Sequence, residues 1–153
     1  MRPRTIRLLL TLALLAALTA GCGYRRPALT KSRALVTLDG EPVAGAAVML
    51  MPTTGGRPVS GVTDDSGWAL FSTFGSRDGI PAGEYKVVVS KLVLKEYAAK
   101  RAAADSMALF SDSDYDNLLP TRYASHTSTD LAVTVDRGTR EITLALASKP
   151  VGK

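Results

Sequence analysis

The amino-acid sequence predicts an all-β domain in which antiparallel sheets pack against each other. Short runs of β-branched and apolar residues recur between turn signals, and no strand–helix–strand pattern repeats along the chain. Residues 95–107 are Ala-rich and predict one short helix. The single cysteine in 153 residues excludes an internal disulfide, so the domain must be held together by buried side chains.

The strands are predicted from apolar and β-branched runs that are bounded by glycine, proline or aspartate. In chain order they cover residues 33–38, 46–51, 59–63, 68–73, 84–94, 131–135 and 140–146. The first ends at Asp39-Gly40, a two-residue turn signal, and the second is bounded by Pro52. The third and fourth form a hairpin, because Asp64 can bond nearby backbone and Gly67 accepts positive φ.

The longest predicted strand follows Gly83, a further turn glycine. In this strand Tyr85, Val87 and Val89 share one face, because successive side chains of a strand point to opposite sides. The last two strands are predicted to form another hairpin around residues 136–138, which contain aspartate and glycine. Alternation of apolar and polar residues in the final strand indicates that one of its faces is buried.

An insert at residues 95–117 separates these strands. Its first part predicts a helix, which is supported by Glu96 four residues before Lys100. The carboxylates of residues 111–116 are of the type that calcium prefers, but the glycine and closing glutamate of the EF-hand spacing are missing. A solvated acidic loop is therefore predicted, and no metal site.

The N-terminal segment has the three-part build of a bacterial export signal. Arg2, Arg4 and Arg7 form a basic head, residues 8–18 are almost wholly Leu and Ala, and small residues precede Cys22. This apolar run is about half of the roughly 20 residues that a spanning helix needs. Removal of the segment is therefore favoured over its retention as a membrane anchor.

Residues 18–22, with the sequence LTAGC, resemble the signal of bacterial lipoproteins. The resemblance implies cleavage just before Cys22, a diacylglyceryl group on its thiol and further acylation of the new N-terminus. Other roles for a lone cysteine are a buried apolar thiol, a metal ligand or a nucleophile. The small residues and the apolar run directly before Cys22 favour lipidation.

These signals predict a chain of four parts. They are a signal peptide at residues 1–21, a lipidated tether at 22–32, a β-sandwich at 33–147 and a tail at 148–153. Removal of the signal leaves 132 of the 153 residues, enough for one domain with a hydrophobic core. The 16 remaining Lys and Arg and the 14 Asp and Glu give a net charge of about +2, too small and too scattered to predict nucleic-acid binding.

Three motifs follow one another along the predicted domain, and two further segments accompany them. The motifs are VTLDGEPVAGA at residues 36–46, GVTDDSGW at 61–68 and PAGEYKV at 81–87, and the further segments are residues 119–123 and 127–131. Together they resemble the carboxypeptidase regulatory-like domains, and more closely the small lipoproteins of that class common in planctomycete-type bacteria. The resemblance covers residues 33–147, nearly all of the mature chain.

This resemblance implies a Greek-key β-sandwich of about seven strands, like that of transthyretin or prealbumin. It also implies a scaffold role for the turn residues Asp39, Gly40, Asp64, Gly67 and Gly83. One departure from the family is Ala34, where glycine is frequent. The resemblance implies no role for the insert at residues 95–117.

An active site is not predicted. His126 is the only histidine, and a Ser-His-Asp arrangement that joins it to Asp130 and one of the many serines is arbitrary without a further motif. Hydrolases of the transthyretin-like fold use several histidines, an arginine and a Tyr-Arg-Gly-Ser end. This chain has one histidine and a different C-terminus, so an exposed loop histidine is expected.

Aromatic residues offer a possible binding surface, with Trp68, Phe71 and Tyr123 as the candidate ligand contacts. Trp68 and Phe71 are three positions apart in one strand and therefore lie on opposite faces. Two or more rings on one solvent-facing surface would indicate a platform for a sugar, whereas a single exposed ring would indicate packing.

The predicted function is that of a lipid-anchored, non-enzymatic domain with a structural or interaction role in the bacterial envelope. Gly23, in place of an aspartate after the cysteine, favours the outer membrane, with the domain facing the periplasm or the cell surface. The partners are the membrane, through acyl chains on Cys22, and an envelope protein or glycan. A carbohydrate- or peptide-binding module is the alternative, a hydrolase is the third, and no cofactor is predicted.

Overall fold

The computed structural model describes residues 26–149. These residues form a mostly β structure, built on one curled sheet of eight strands together with two two-stranded ribbons and one α-helix. The all-β class predicted from the sequence is confirmed at this level.

The elements are numbered in chain order. The strands are β1 (Leu29–Thr30), β2 (Arg33–Leu38), β3 (Glu41–Pro42), β4 (Ala47–Pro52), β5 (Val59–Thr63), β6 (Trp68–Ser72), β7 (Ile80–Pro81), β8 (Gly83–Ser90), β9 (Leu92–Leu94), β10 (Tyr115–Asn117), β11 (Ala132–Val135) and β12 (Glu141–Leu146). Helix α1 covers Glu96–Ala104, and short 3-10 turns lie at Asp112–Asp114 and Thr121–Ala124.

The main sheet runs in the order β11-β8-β4-β5-β6-β2-β12, and β3 also pairs with β2. Neighbouring strands are antiparallel except β2 and β12, which are parallel. The inner face of the curl encloses the core, in which Phe71, Leu50 and Ile80 are the largest fully buried side chains. Burial of such apolar surface, at about 25 cal/mol per Å², is the main stabilising contribution to the fold.

One predicted turn and one predicted hairpin are confirmed. β2 and β3 are joined by Asp39 and Gly40, whose φ angles of 51° and 94° are the left-handed values that a tight hairpin turn needs. β5 and β6 pair across the turn at residues 64–67, where Gly67 has a φ of 79°. A Cβ atom on Gly67 would lie 2.9 Å from the Cβ of Pro42, so this turn requires glycine for space as well as for conformation.

The hairpin predicted for the last two strands is wrong. β11 and β12 exist, but they form opposite edges of the main sheet. β11 pairs with β8, where Val135 lies opposite Gly83, whereas β12 pairs with β2, where Glu141 lies opposite Arg33. The reason is that β12 completes the core beside β2, a long-range gain that a local turn signal does not reveal.

The strand predicted at residues 84–94 is interrupted. β8 ends at Ser90, and β9 leaves the main sheet to pair with β10. The interruption lies at Lys91, whose backbone N–H donates to the side-chain oxygen of Asn117 at 3.0 Å. The helix and loop of the insert therefore connect the two strands of a separate ribbon, β9 and β10.

The insert contains a helix, as predicted, but it is shorter than residues 95–107. Glu96 and Lys100 form the expected ion pair, with 2.7 Å between Oε1 and Nζ. The prediction of a solvated acidic loop is wrong for Asp114, which is only 6% exposed. Its carboxylate is held by Arg101 of α1, with 3.0 Å between Oδ2 and Nη2, because a buried charge needs a partner.

Strand pairing begins before residue 33, where the first strand was predicted. β1 pairs with β7, and the buried hydroxyls of Thr30 and Ser32 donate to the carbonyl oxygens of Asp136 and Thr139 at 3.0 and 2.7 Å. The last part of the predicted tether, from β1 onwards, therefore belongs to the domain.

The predicted lipidation site, Cys22, and the signal segment before it lie outside the described residues. Within residues 26–149, no helix is both long enough and apolar enough to cross a membrane.

Candidate interaction surface on the outer sheet face

The outer face of the main sheet carries an exposed apolar surface. Val62, Leu70 and Met49 are 64%, 47% and 43% exposed, although each lies within a regular strand. Val62 lies opposite Leu70 across β5 and β6, and Met49 lies opposite the half-buried Val88 across β4 and β8. The four side chains therefore form one surface across four adjacent strands.

This surface is the floor of an open cavity of about 480 Å³, named here the outer groove. The apolar part of its floor is formed by Ala47, Met49, Val62, Leu70 and Val88, and Ser60, Ser72 and Ser90 of the same strands also line it. Two loops form its walls, one at the β5–β6 turn and one after β6. An apolar floor with polar walls is typical of a surface that receives another molecule.

The first wall is the β5–β6 turn. Asp64 fixes this turn, because its Oδ1 atom accepts the backbone N–H groups of Ser66 at 2.9 Å and Trp68 at 3.0 Å. The Trp68 ring is half-buried, and the Arg33 guanidinium lies 4.1 Å from its centroid. Arg33 also pairs with Glu141, so an ion pair and a cation–π contact hold the ring in place.

The second wall is the loop after β6, which Asp78 organises. Its carboxylate accepts the backbone N–H groups of Thr73, Phe74 and Gly75, at 2.7, 2.9 and 2.8 Å. These hydrogen bonds, that of Thr73 most strongly, lower the pKa of Asp78 below its ordinary value. The loop is thereby fixed with Arg77, an exposed cation, beside the groove.

The three predicted ligand contacts lie in different environments. Trp68 is half-buried at the groove, whereas Phe71 and Tyr123 are only 1% and 3% exposed. The Tyr123 hydroxyl accepts the backbone N–H of Ala147 at 3.1 Å and helps to hold the end of β12. The three rings therefore do not share a solvent-facing surface.

The residues considered for catalysis lie at the surface of the domain. His126 and Asp130 are both exposed, and the Ser125 hydroxyl bonds that of Thr127 at 2.8 Å. Among residues 26–149, no group of three or more His, Cys, Asp or Glu side chains is arranged to hold a metal ion.

Sequence reasoning identified Trp68 and the turn at Asp64 but not the groove that they border. The sequence did contain a signal for the groove. In residues 46–51 and 85–89, apolar residues occupy both odd-numbered and even-numbered positions. Such strands have two apolar faces, and only one of them can point to the core. The position of Arg77 has no comparable signal, since it depends on the loop that Asp78 organises.

Comparison with known proteins does not assign a family to this chain. No protein-family model, no curated protein and no solved structure matches it. The groove and the sequence motifs are therefore the basis of any functional assignment.

Proposed function

We propose that this protein is a lipid-anchored, non-enzymatic domain of the bacterial envelope that binds another envelope protein through the outer groove. The observation that carries the binding role is the exposed apolar floor, where Val62 alone is 64% exposed in the middle of the sheet. Exposed apolar surface between fixed polar walls is stabilised when a partner covers it, at about 25 cal/mol for each Å² removed from water.

The anchor is proposed on the sequence LTAGC at residues 18–22. One acyl chain binds a bilayer only marginally, and each buried methylene contributes about 0.8 kcal/mol. Two or three chains on Cys22 would therefore keep the protein on the membrane. Placement at the outer membrane follows from the same segment, through Gly23.

We also propose that the fold is a transthyretin-like Greek key of the carboxypeptidase regulatory-like class. Each of the three motifs coincides with a structural feature that the class would require. Residues 36–46 contain the β2–β3 turn, residues 61–68 contain the β5–β6 turn, and residues 81–87 contain the start of β8.

The side chains of the groove favour a protein segment as its ligand. Its floor is aliphatic, and sugars are bound by stacking on aromatic rings. Trp68 is the one aromatic ring that residues 26–149 place at the groove, and Arg33 lies against that ring. A peptide-binding module is therefore the better form of the alternative function, because an extended segment can place alternate apolar side chains on the floor.

The anchor is tested by intact mass and detergent-phase partitioning of the full chain from a bacterial host, compared with Cys22→Ser. We expect a mass that begins at Cys22 with two or three acyl chains, and recovery in the detergent phase. The variant should lose both properties. An unmodified Cys22 in a water-soluble protein would remove the anchor from the proposed function.

The groove is tested by a photo-crosslinking amino acid at Val62 in envelope preparations. The matched control carries the same group at Thr143, which is exposed on another strand of the main sheet. We expect a discrete adduct from position 62 that Leu70→Glu abolishes, because the charge would lie on the groove floor. Equal adducts from both positions would show that the groove is not a specific binding surface.

A further inference from the structure

Charged residues are divided between the two ends of the main sheet. The basic end is the one where the described chain begins, and it consists of residues 26–33, 52–58, 72–84 and 135–141. It holds seven Lys and Arg against four Asp and Glu, a net charge of +3. The rest of the described chain holds seven Lys and Arg against ten Asp and Glu, a net charge of −3.

The basic residues form one continuous surface. Arg26 and Arg57 both lie over the Phe74 ring, 5.4 and 5.9 Å from its centroid. Lys31 and Arg140 line two neighbouring cavities, of about 260 and 500 Å³, which they share with further basic side chains. The exposed cations outside ion pairs in this part of the structure are Arg26, Lys31, Arg57, Arg77, Arg137 and Arg140.

Most of the acidic groups at this end are already engaged. Asp78 accepts the three N–H groups of its own loop, and Glu141 is paired with Arg33. Asp136 accepts the backbone N–H groups of Gly138 and Thr139, both at 2.7 Å. These contacts lower the pKa of Asp78 and Asp136 and so keep both carboxylates ionised, and the net charge of the basic end remains +3.

The described chain begins at the same end, a few residues after the proposed anchor. Arg26 is the first described residue, and Cys22 precedes it by four positions. Four extended residues reach at most roughly 14 Å. An acyl chain on Cys22 would therefore hold the basic end within two Debye lengths of the lipid headgroups at physiological ionic strength, about 8 Å each.

We propose that the basic end docks on the anionic lipid headgroups of the membrane that anchors the chain. The domain then stands upright, with the acidic end and helix α1 directed away from the bilayer. This orientation rests on the proposed function, because the acyl anchor supplies the proximity. The charge separation supplies the direction, since each basic side chain at an anionic surface contributes roughly fivefold to the affinity.

The test uses a chain of residues 22–153 that carries Cys22→Ser and has no acyl group. The described strands and core residues all belong to this chain, which is also the chain that the predicted cleavage before Cys22 would leave. Its sedimentation is measured with vesicles of phosphatidylcholine alone and with added phosphatidylglycerol. We expect salt-sensitive binding only to the anionic vesicles.

Two double variants change the net charge by the same amount, one at each end of the molecule. Their comparison shows which end contacts the vesicle. Arg137→Glu/Arg140→Glu should weaken the vesicle affinity by at least about 25-fold, because two favourable contacts are lost. Lys91→Glu/Lys100→Glu, at the other end of the molecule, should change it little. Equal effects of both variants, or no binding of the parent chain, would overturn the proposal.

Binding of soluble polyglutamate without binding to anionic vesicles would also overturn it, because the partner would then be an acidic polymer. Since the tested chain has no acyl group, each of these outcomes is independent of the modification of Cys22. Failure of the orientation and failure of the anchor can therefore be distinguished.

Discussion

Gly61 shows how the absence of one side chain shapes the core of this sheet. It lies opposite Phe71 across β5 and β6. A Cβ atom on Gly61 would lie 2.7 Å from the carbonyl oxygen of Leu70 and 3.2 Å from the Phe71 ring. The ring, which is the largest fully buried side chain, occupies the space that a side chain at position 61 would need.

We therefore predict that Gly61→Val lowers the free energy of unfolding by about 1–3 kcal/mol, the usual effect of overpacking. Urea unfolding followed by Trp68 fluorescence measures the change. The control is Ser60→Val, at the neighbouring exposed position, which should stay within about 0.5 kcal/mol of the parent chain. A similar loss in both variants would contradict this account of Gly61.

Asp114 fixes the insert through contacts with three residues. Its carboxylate accepts the backbone N–H of Ser111 at 2.8 Å, the Tyr97 hydroxyl at 2.7 Å and the Arg101 guanidinium at 3.0 Å. These contacts, with the Ser111 N–H as the largest cause, lower the pKa of Asp114 from 3.8 to about 2. Helix α1 and the loop after it are thus joined by one ionised side chain.

The pH dependence follows from the direction of this shift. Because the pKa of the folded state lies below that of the unfolded state, the stabilisation is complete above about pH 4 and is lost as the pH falls towards 2. Asp114→Asn should therefore destabilise α1 at neutral pH, and its difference from the parent chain should shrink across that window. Amide hydrogen exchange of α1 measures the effect.

The matched control is Asp112→Asn, which changes an exposed carboxylate of the same 3-10 turn. It should leave hydrogen exchange in α1 close to that of the parent chain at neutral pH. If Asp112→Asn and Asp114→Asn opened α1 equally, the contacts of Asp114 would not be what holds the insert.

At the scale of elements, the features that the sequence predicted are those that depend on neighbours along the chain. The ion pair of Glu96 with Lys100 and the turn at Asp64 involve residues four positions apart or fewer. The break at Lys91 was missed because the partner side chain, Asn117, lies 26 positions away. Which strand β12 joins was missed for the same reason.

The same distinction between local and long-range contacts applies to the candidate site. Trp68 and Phe71 were assigned to opposite faces of their strand from the alternation alone. The groove beside it needs four strands in register and the loop that Asp78 fixes, and neither is encoded in one stretch of sequence. The sequence shows apolar residues at both odd-numbered and even-numbered positions of these strands, but it does not show that they form one surface.

The insert is an element that the domain should fold without. Of the nine residues of α1 only Ala98 is buried, and the ribbon below it ends with Leu94 opposite Tyr115. Replacement of residues 95–114 by Asn-Gly, which favours a two-residue hairpin turn, should therefore keep the sheet and its cooperative unfolding. Near-UV circular dichroism and urea unfolding test this expectation.

Ala-Ala in the same place is the control, because it does not favour the turn and should be less stable than Asn-Gly. An unfolded Asn-Gly chain would show that the insert is part of the folding unit and would contradict the expectation.

At the scale of the whole molecule, the first and last long strands meet. Arg33 at the start of β2 and Glu141 at the start of β12 are 108 positions apart in sequence and pair directly. Contacts of such sequence separation form late, because the loop between them must close first. The edge of the sheet at β2 is therefore incomplete until almost the whole chain is present.

This arrangement predicts that a chain ending at Gly138 lacks cooperative unfolding, since β12 contributes Ile142, Leu144 and Leu146 to the core. A synthetic peptide of residues 139–149, added in trans, should restore the near-UV circular dichroism of Trp68 and a single urea transition. The same peptide with Leu144→Asp should not, because it would bury an unpaired carboxylate beside β2. If the truncated chain unfolds at the same urea concentration as the full chain, the sheet is stable without its last strand. The pairing of β2 with β12 would then not be required for the fold.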